Sequence, residues 1–276
     1  MSHDFQGLKE SWQRAGVLGV LRFFTLEQWA AIDREYLEAS RGTRLSDVAL
    51  MGLVAVTLTL QKYFGSRKTL EELVGAATLR ALPWPDMWHH VYWAWFSSLT
   101  YMVPPMLFAW WVHREKPADY GLSLKGARPY AWLYVALFLG VLPAVVVASG
   151  SDAFLNRYPF YQAAGRSWPQ FLIWELSYGF QFLALEYFFR GFMLFPLARR
   201  LGAAAIFVMV IPYTMIHFSK PLPETLGAVL AGTALGTLAL RTRSIFGGVA
   251  IHLAVAWSMD VLALLRKGTL TGLFSP

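Results

Sequence analysis

WPQFLIWELSYGFQFLALEYFFRGFMLFPL, residues 168–197, is a long apolar run broken by three charges: Glu175, Glu186 and Arg190. A helix needs about 20 apolar residues to cross a hydrocarbon core roughly 30 Å thick, and this stretch exceeds that. A charge near the bilayer centre costs about 2.5–3.5 kcal/mol on insertion scales. Such residues face the interior of a helix bundle and mark function by default. The stretch therefore predicts a membrane-spanning helix with a chemically active face.

Working outward, the same apolar character recurs. Runs at Val48–Phe64, Val91–Val112, Tyr130–Ser149, Leu201–Phe218, Thr225–Leu240 and Ile245–Leu265 bring the expected count to seven. The predicted fold class is an all-α, polytopic transmembrane helix bundle. Pro104-Pro105 is expected to kink the second run, and Gly232 and Gly236 in the sixth to allow close helix approach. Residues 1–46 read as a cytosolic or interfacial segment, with a periodic helix at Leu26–Leu37. Residues 47–167 form N-terminal spans and loops, 168–265 the core with the candidate site, and 266–276 a short tail.

Composition agrees. The chain has 276 residues, of which 56% are hydrophobic and only 15% charged, against roughly a quarter charged in soluble domains. Many of its 12 Trp, 12 Tyr and 20 Phe lie near run ends, where amphipathic rings favour the bilayer interface. The net charge of +7 does not indicate nucleic acid, because Lys and Arg are dispersed through short connections. Those at 113–129, 199–200 and 241–243 share one side under the seven-span count, which favours a cytoplasmic N-terminus. With no Cys, disulfide and thiolate chemistry are excluded. Met1–Gly19 lacks the pattern of a cleavable leader.

Glu186 and Arg190, four residues apart, share a helix face. They form either an internal ion pair alone, or a carboxylate oriented by a guanidinium to act on water. His217 ends the fifth run and His252 sits inside the seventh. Each alone reads as a hydrogen-bonded core histidine. Together with Glu186 they suit a site built from facing helices, with a possible divalent metal such as zinc on Glu186, His217 and His252. Glu175, about three turns before Glu186, and Asp260, about 12 Å beyond His252, are outer partners of that site or interfacial charges. His89, His90 and His113 read as interfacial. Ser98, Ser177 and Ser258 lack a nucleophile setting, and no HExxH or phosphate-binding glycine loop is present.

The ordered set Glu186-x-x-x-Arg190-Gly191, Tyr213-x-x-x-His217, Lys220-Pro221, Glu224, Arg243 to Gly248 and His252 resembles the CPBP family of intramembrane metalloproteases, the type II CAAX prenyl endopeptidase and abortive-infection proteins. The resemblance covers roughly residues 168–265. It implies endopeptidase activity within the membrane, with Glu186, Arg190, His217 and His252 as catalytic residues. Three positions depart from the family pattern: Leu185 stands where a first glutamate is usual, Tyr213 where Phe is usual, and Ala256 where a polar partner follows the last histidine.

Three functions follow as expectations. The first is an endopeptidase cleaving a lipidated or hydrophobic-tailed protein near its C-terminus, in contact with membrane lipids and located in a bacterial inner membrane. The second is a non-catalytic scaffold or immunity protein, favoured by Leu185 and Ala256. The third is an ion- or proton-coupled transporter using the same charges, against which stands the lack of inverted repeats.

Overall fold

The structure, a computed structural model, describes residues 10, 13, 15–37 and 44–274. Most of Met1–Gly19, residues 38–43 and the last two residues of the tail lie outside the described residues. Those described are helical, with no strand among them. Nine helices carry the architecture: α1 (Gln28–Tyr36), α2 (Leu45–Phe64), α3 (Pro85–Phe108), α4 (Ala131–Ala148), α5 (Trp168–Glu186), α6 (Leu194–Leu201), α7 (Ala204–Met215), α8 (Leu222–Thr242) and α9 (Phe246–Arg266).

Four helical stretches are long and apolar enough to cross a membrane: Leu45–Phe64, Arg128–Ala148, Leu222–Thr242 and Phe246–Arg266. The remaining three expected spans do not meet that measure. α7 is apolar but only 12 residues long, α3 is rich in Trp, Tyr, Ser and Thr, and α5 carries Gln and Glu. Pro104 and Pro105 lie inside α3, and the helix runs through them to Phe108.

Burial separates lipid-facing from central helices. On α2, Val48, Met51, Val56 and Leu60 are exposed; on α4, Trp132, Val135, Leu139, Val146 and Val147 are exposed. Apolar side chains facing outward in this number have no stable place in water. α5 is the opposite case. Most of its second half is buried, and all seven residues of the π-helical stretch that follows, Tyr187–Met193, are buried. Packing of α5 against α3 and α9 makes it the axis of the bundle.

Polar contacts fix the two ends of the bundle. One end gathers α1, the start of α2, the connection after α3 and the C-termini of α6 and α8. There Asp47 lies 3.1 Å from Arg200, Arg241 lies 2.9 Å from Glu35, and Arg199 pairs with Glu115. α1 packs on the bundle: Tyr36 donates to the Leu240 carbonyl at 2.8 Å, and Ile32 is fully buried. At the opposite end Tyr158 donates to Glu224 at 2.7 Å, and Lys267 donates to the Tyr158 carbonyl at 2.7 Å. Burial, then the adjacent Glu224 carboxylate, pushes the Tyr158 hydroxyl far above its ordinary pKa, so it remains a donor. α5 runs from the second end toward the first, and α9 runs back, so the two are antiparallel.

Candidate active site

Glu186 closes α5, and Arg190 lies one turn on, in the π-helical stretch. Both are fully buried, and Arg190 Nη1 is 3.0 Å from Glu186 Oε1. Two charges survive in this interior because each neutralises the other. α9 adds His252, whose Nδ1 lies 2.8 Å from the same carboxylate oxygen. Gly248, one turn earlier on α9, permits this approach: a Cβ there would overlap the Glu186 carboxylate. Phe182 stacks on the other side of His252, with ring centroids 5.4 Å apart.

α7 supplies the remaining wall. The Tyr213 ring lies under the Arg190 guanidinium, 3.9 Å from centroid to Cζ. Its hydroxyl is 3.0 Å from His252 Nε2. Its backbone carbonyl accepts from His217 Nδ1 at 2.8 Å, since a carbonyl can only accept. Thr225 of α8 in turn donates to the His217 carbonyl at 2.8 Å, anchoring that turn. The charged groups are close without being well aligned. Both Glu186 oxygens, all three Arg190 nitrogens and His252 Nδ1 lack a hydrogen bond of good geometry. Buried polar atoms left in this state are uncommon and call for a functional or solvent-related reason.

The structure thus brings Glu186, Arg190 and His252 into direct contact and sets His217 one residue away, across Tyr213. Glu175 and Asp260 lie away from this site. They are 5% and 0% exposed and face each other in a separate layer, where Trp174 Nε1 donates to Asp260 Oδ2 at 2.9 Å. Antiparallel packing explains this. Eleven residues back along α5 is about 16 Å, and eight forward along α9 about 12 Å, so both steps lead to a common depth away from Glu186. His113 lies 2.6 Å from the Tyr120 hydroxyl, and His89 lies 3.9 Å from Glu71. Ser98 and Ser258 bond their own helix backbone, and Ser177 accepts from Trp95.

In the sequence Tyr213 enters only as the aromatic before His217 and Gly248 only as the end of the Arg243 to Gly248 stretch; each precedes a candidate histidine by four residues, on the same helix face. A metal fits this arrangement poorly. Among the described residues no group of three His, Cys, Asp or Glu side chains is placed to hold one. Both ring nitrogens of His252 face protein partners, and His217 Nδ1 is taken by a carbonyl. The zinc expected on Glu186, His217 and His252 finds no ligand set here, and no step below is routed through a metal.

A carboxylate, a guanidinium and an imidazole meeting on the buried central helix of an apolar helix bundle define a membrane protein with an internal polar centre. Residues 167–258 match the family model described as type II CAAX prenyl endopeptidase Rce1-like, consistent with the CPBP resemblance. The chain therefore carries a region similar to that family. That region holds Glu186, Arg190, Tyr213, His217 and His252, and ends before Asp260. No curated protein and no solved structure gives a match.

Proposed function

We propose that the chain is an intramembrane endopeptidase that cleaves a lipidated or hydrophobic-tailed protein near its C-terminus. The observation that carries this reading is the convergence of Glu186, Arg190 and His252, with His217 beside them, inside the Rce1-like region. Arg190 holds the Glu186 carboxylate by charge, and Glu186 in turn orients His252 through Nδ1. Glu186 and the imidazoles accept and return the proton of an attacking water. His217, with Nδ1 committed to a backbone carbonyl, has Nε2 as its basic atom on the neutral ring. Once His217 Nε2 has taken the water proton, its N–H meets the developing oxyanion and then protonates the leaving amine. The bilayer holds the substrate's apolar tail beside the bundle.

The seven-span topology belongs to the same proposal. α3, the α5–α6 unit and α7 cross within the shelter of the four apolar helices. Arg199, Arg200, Arg241 and Arg243 gather at the end that also receives α1, which supports a cytoplasmic placement of that end in a bacterial inner membrane. The test is cleavage of a lipidated C-terminal peptide by the purified protein in liposomes. Glu186→Gln, His217→Ala and His252→Ala each abolish it while the protein still inserts. Normal processing by all three variants overturns the proposal.

One alternative has its own observations. Leu185 and Ala256 are apolar and buried, and Glu186 has no exposed surface, which favours a non-catalytic scaffold of the same fold. A cellular phenotype unchanged by Glu186→Gln supports that alternative.

A further inference from the structure

Every candidate residue of the site touches Tyr213 or touches a residue that does. Its ring faces Arg190, its hydroxyl faces His252, and its carbonyl holds His217. Tyr213 is only 1% exposed. Phe189 meets the ring edge-on with centroids 5.4 Å apart. Behind it Gly232 of α8 is so close that an added Cβ would stand 3.1 Å from the ring. A ring walled in this way has one orientation open to it, and its hydroxyl is held in one place, facing His252 Nε2 with the Arg190 side chain also in reach.

That placement matters because His252 has little else to hold its Nε2. On its own helix, one turn further on, the chain offers Ala256, which is buried and has no polar group. Nδ1 faces a carboxylate, an acceptor, so the neutral ring carries its proton on Nδ1 and leaves Nε2 to accept. The Tyr213 hydroxyl is placed to donate there. Phe182 stacks on the ring but does not distinguish its two nitrogens.

We infer that Tyr213 is a positioning residue whose hydroxyl sets the tautomer and ring orientation of His252, in place of a polar side chain on α9. The ring contact with Arg190 is separate from this function and survives loss of the hydroxyl. Tyr213→Phe therefore removes the hydroxyl from both His252 and Arg190, whereas Ala256→Asn supplies a substitute donor to His252 alone, at helical reach four residues along α9.

The experiment has two arms. In the first, the protein carries 15N-labelled histidine, and the His252 ring signals are assigned by their loss in His252→Asn. Wild type shows a single neutral tautomer protonated on Nδ1. Tyr213→Phe shows a mixture, and Tyr213→Phe with Ala256→Asn regains a single form. Placing 3-fluorotyrosine at position 213 shifts the Nε2 signal with the fold intact, which covers the case of a poorly folding Phe variant. In the second arm, which rests on the endopeptidase reading, Tyr213→Phe lowers kcat about 10-fold, the loss expected when one hydrogen bond of ordinary strength is removed. KM stays near wild type. His252 signals unchanged by both substitutions at position 213 overturn the inference. Absence of cleavage in wild type overturns the functional reading and leaves the first arm decisive.

Discussion

Replacing Glu186 by Leu tests the central ion pair without changing volume much, so the cavity contribution is small. Arg190 then sits fully buried beside no anion, because the carboxylate at 3.0 Å was its charge partner. Breaking a buried pair from one side costs about 3–5 kcal/mol. The guanidinium keeps the Tyr213 face at 3.9 Å, a contact of about 2 kcal/mol when desolvated, which moves the expectation to the lower end, about 3 kcal/mol. That is on the order of a 100-fold rise in the unfolding constant. Arg190→Met costs less, because His252 at 2.8 Å still stands by the abandoned carboxylate. The double variant, Glu186→Leu with Arg190→Met, removes both charges and returns to within about 1 kcal/mol of wild type or exceeds it. Detergent-titrated unfolding in mixed micelles, read from tryptophan fluorescence, gives the three values. A single Leu variant as stable as wild type, or a double variant no better than the worse single one, refutes the buried-pair account.

Other expectations follow from particular contacts. Gly248→Ala places a methyl into the Glu186 carboxylate and lowers stability by about 1–3 kcal/mol. Gly227→Ala, with open space at its Cβ, gains up to about 1 kcal/mol; thermal denaturation in micelles separates the two. Asp260→Ala strands the Trp174 indole N–H and costs about 1–3 kcal/mol in the same assay. Glu175→Gln introduces a donor toward Asp260 and is tolerated, which a melting curve within error of wild type checks. Thr225→Val removes the bond to the His217 carbonyl and lowers stability by about 1 kcal/mol. Its local effect appears as faster hydrogen exchange at residues 217–220, with α9 unaffected.

Apolar runs and aromatic ends revealed the helical membrane character, because a bilayer demands long stretches of one kind of side chain and helical closure of every backbone group. The four-residue step from Glu186 to Arg190 was equally readable, since it lies within one local turn. Spacing read along single helices did not reach the pairing of Glu175 with Asp260. Each was related to its own helix's site residue, whereas the antiparallel crossing of α5 and α9 pairs them with each other. The Leu26–Leu37 periodicity is compatible with a helix lying on the membrane and at least as well with a packed one. Asp33 accepting from the Ala203 N–H at 2.7 Å and Tyr36 bonding the Leu240 carbonyl decide for packing.

What the sequence determined by itself was the class of molecule and the residues too polar for its interior. Those properties depend on composition and on one-dimensional period, which need no partner. Which polar residues of different helices meet was decided by tertiary structure alone. Tyr213 became the hub, and Gly248 the gap that admits a carboxylate, only when α5, α7 and α9 were brought side by side. Contact between helices depends on depth and rotation, and neither is written in any one helix.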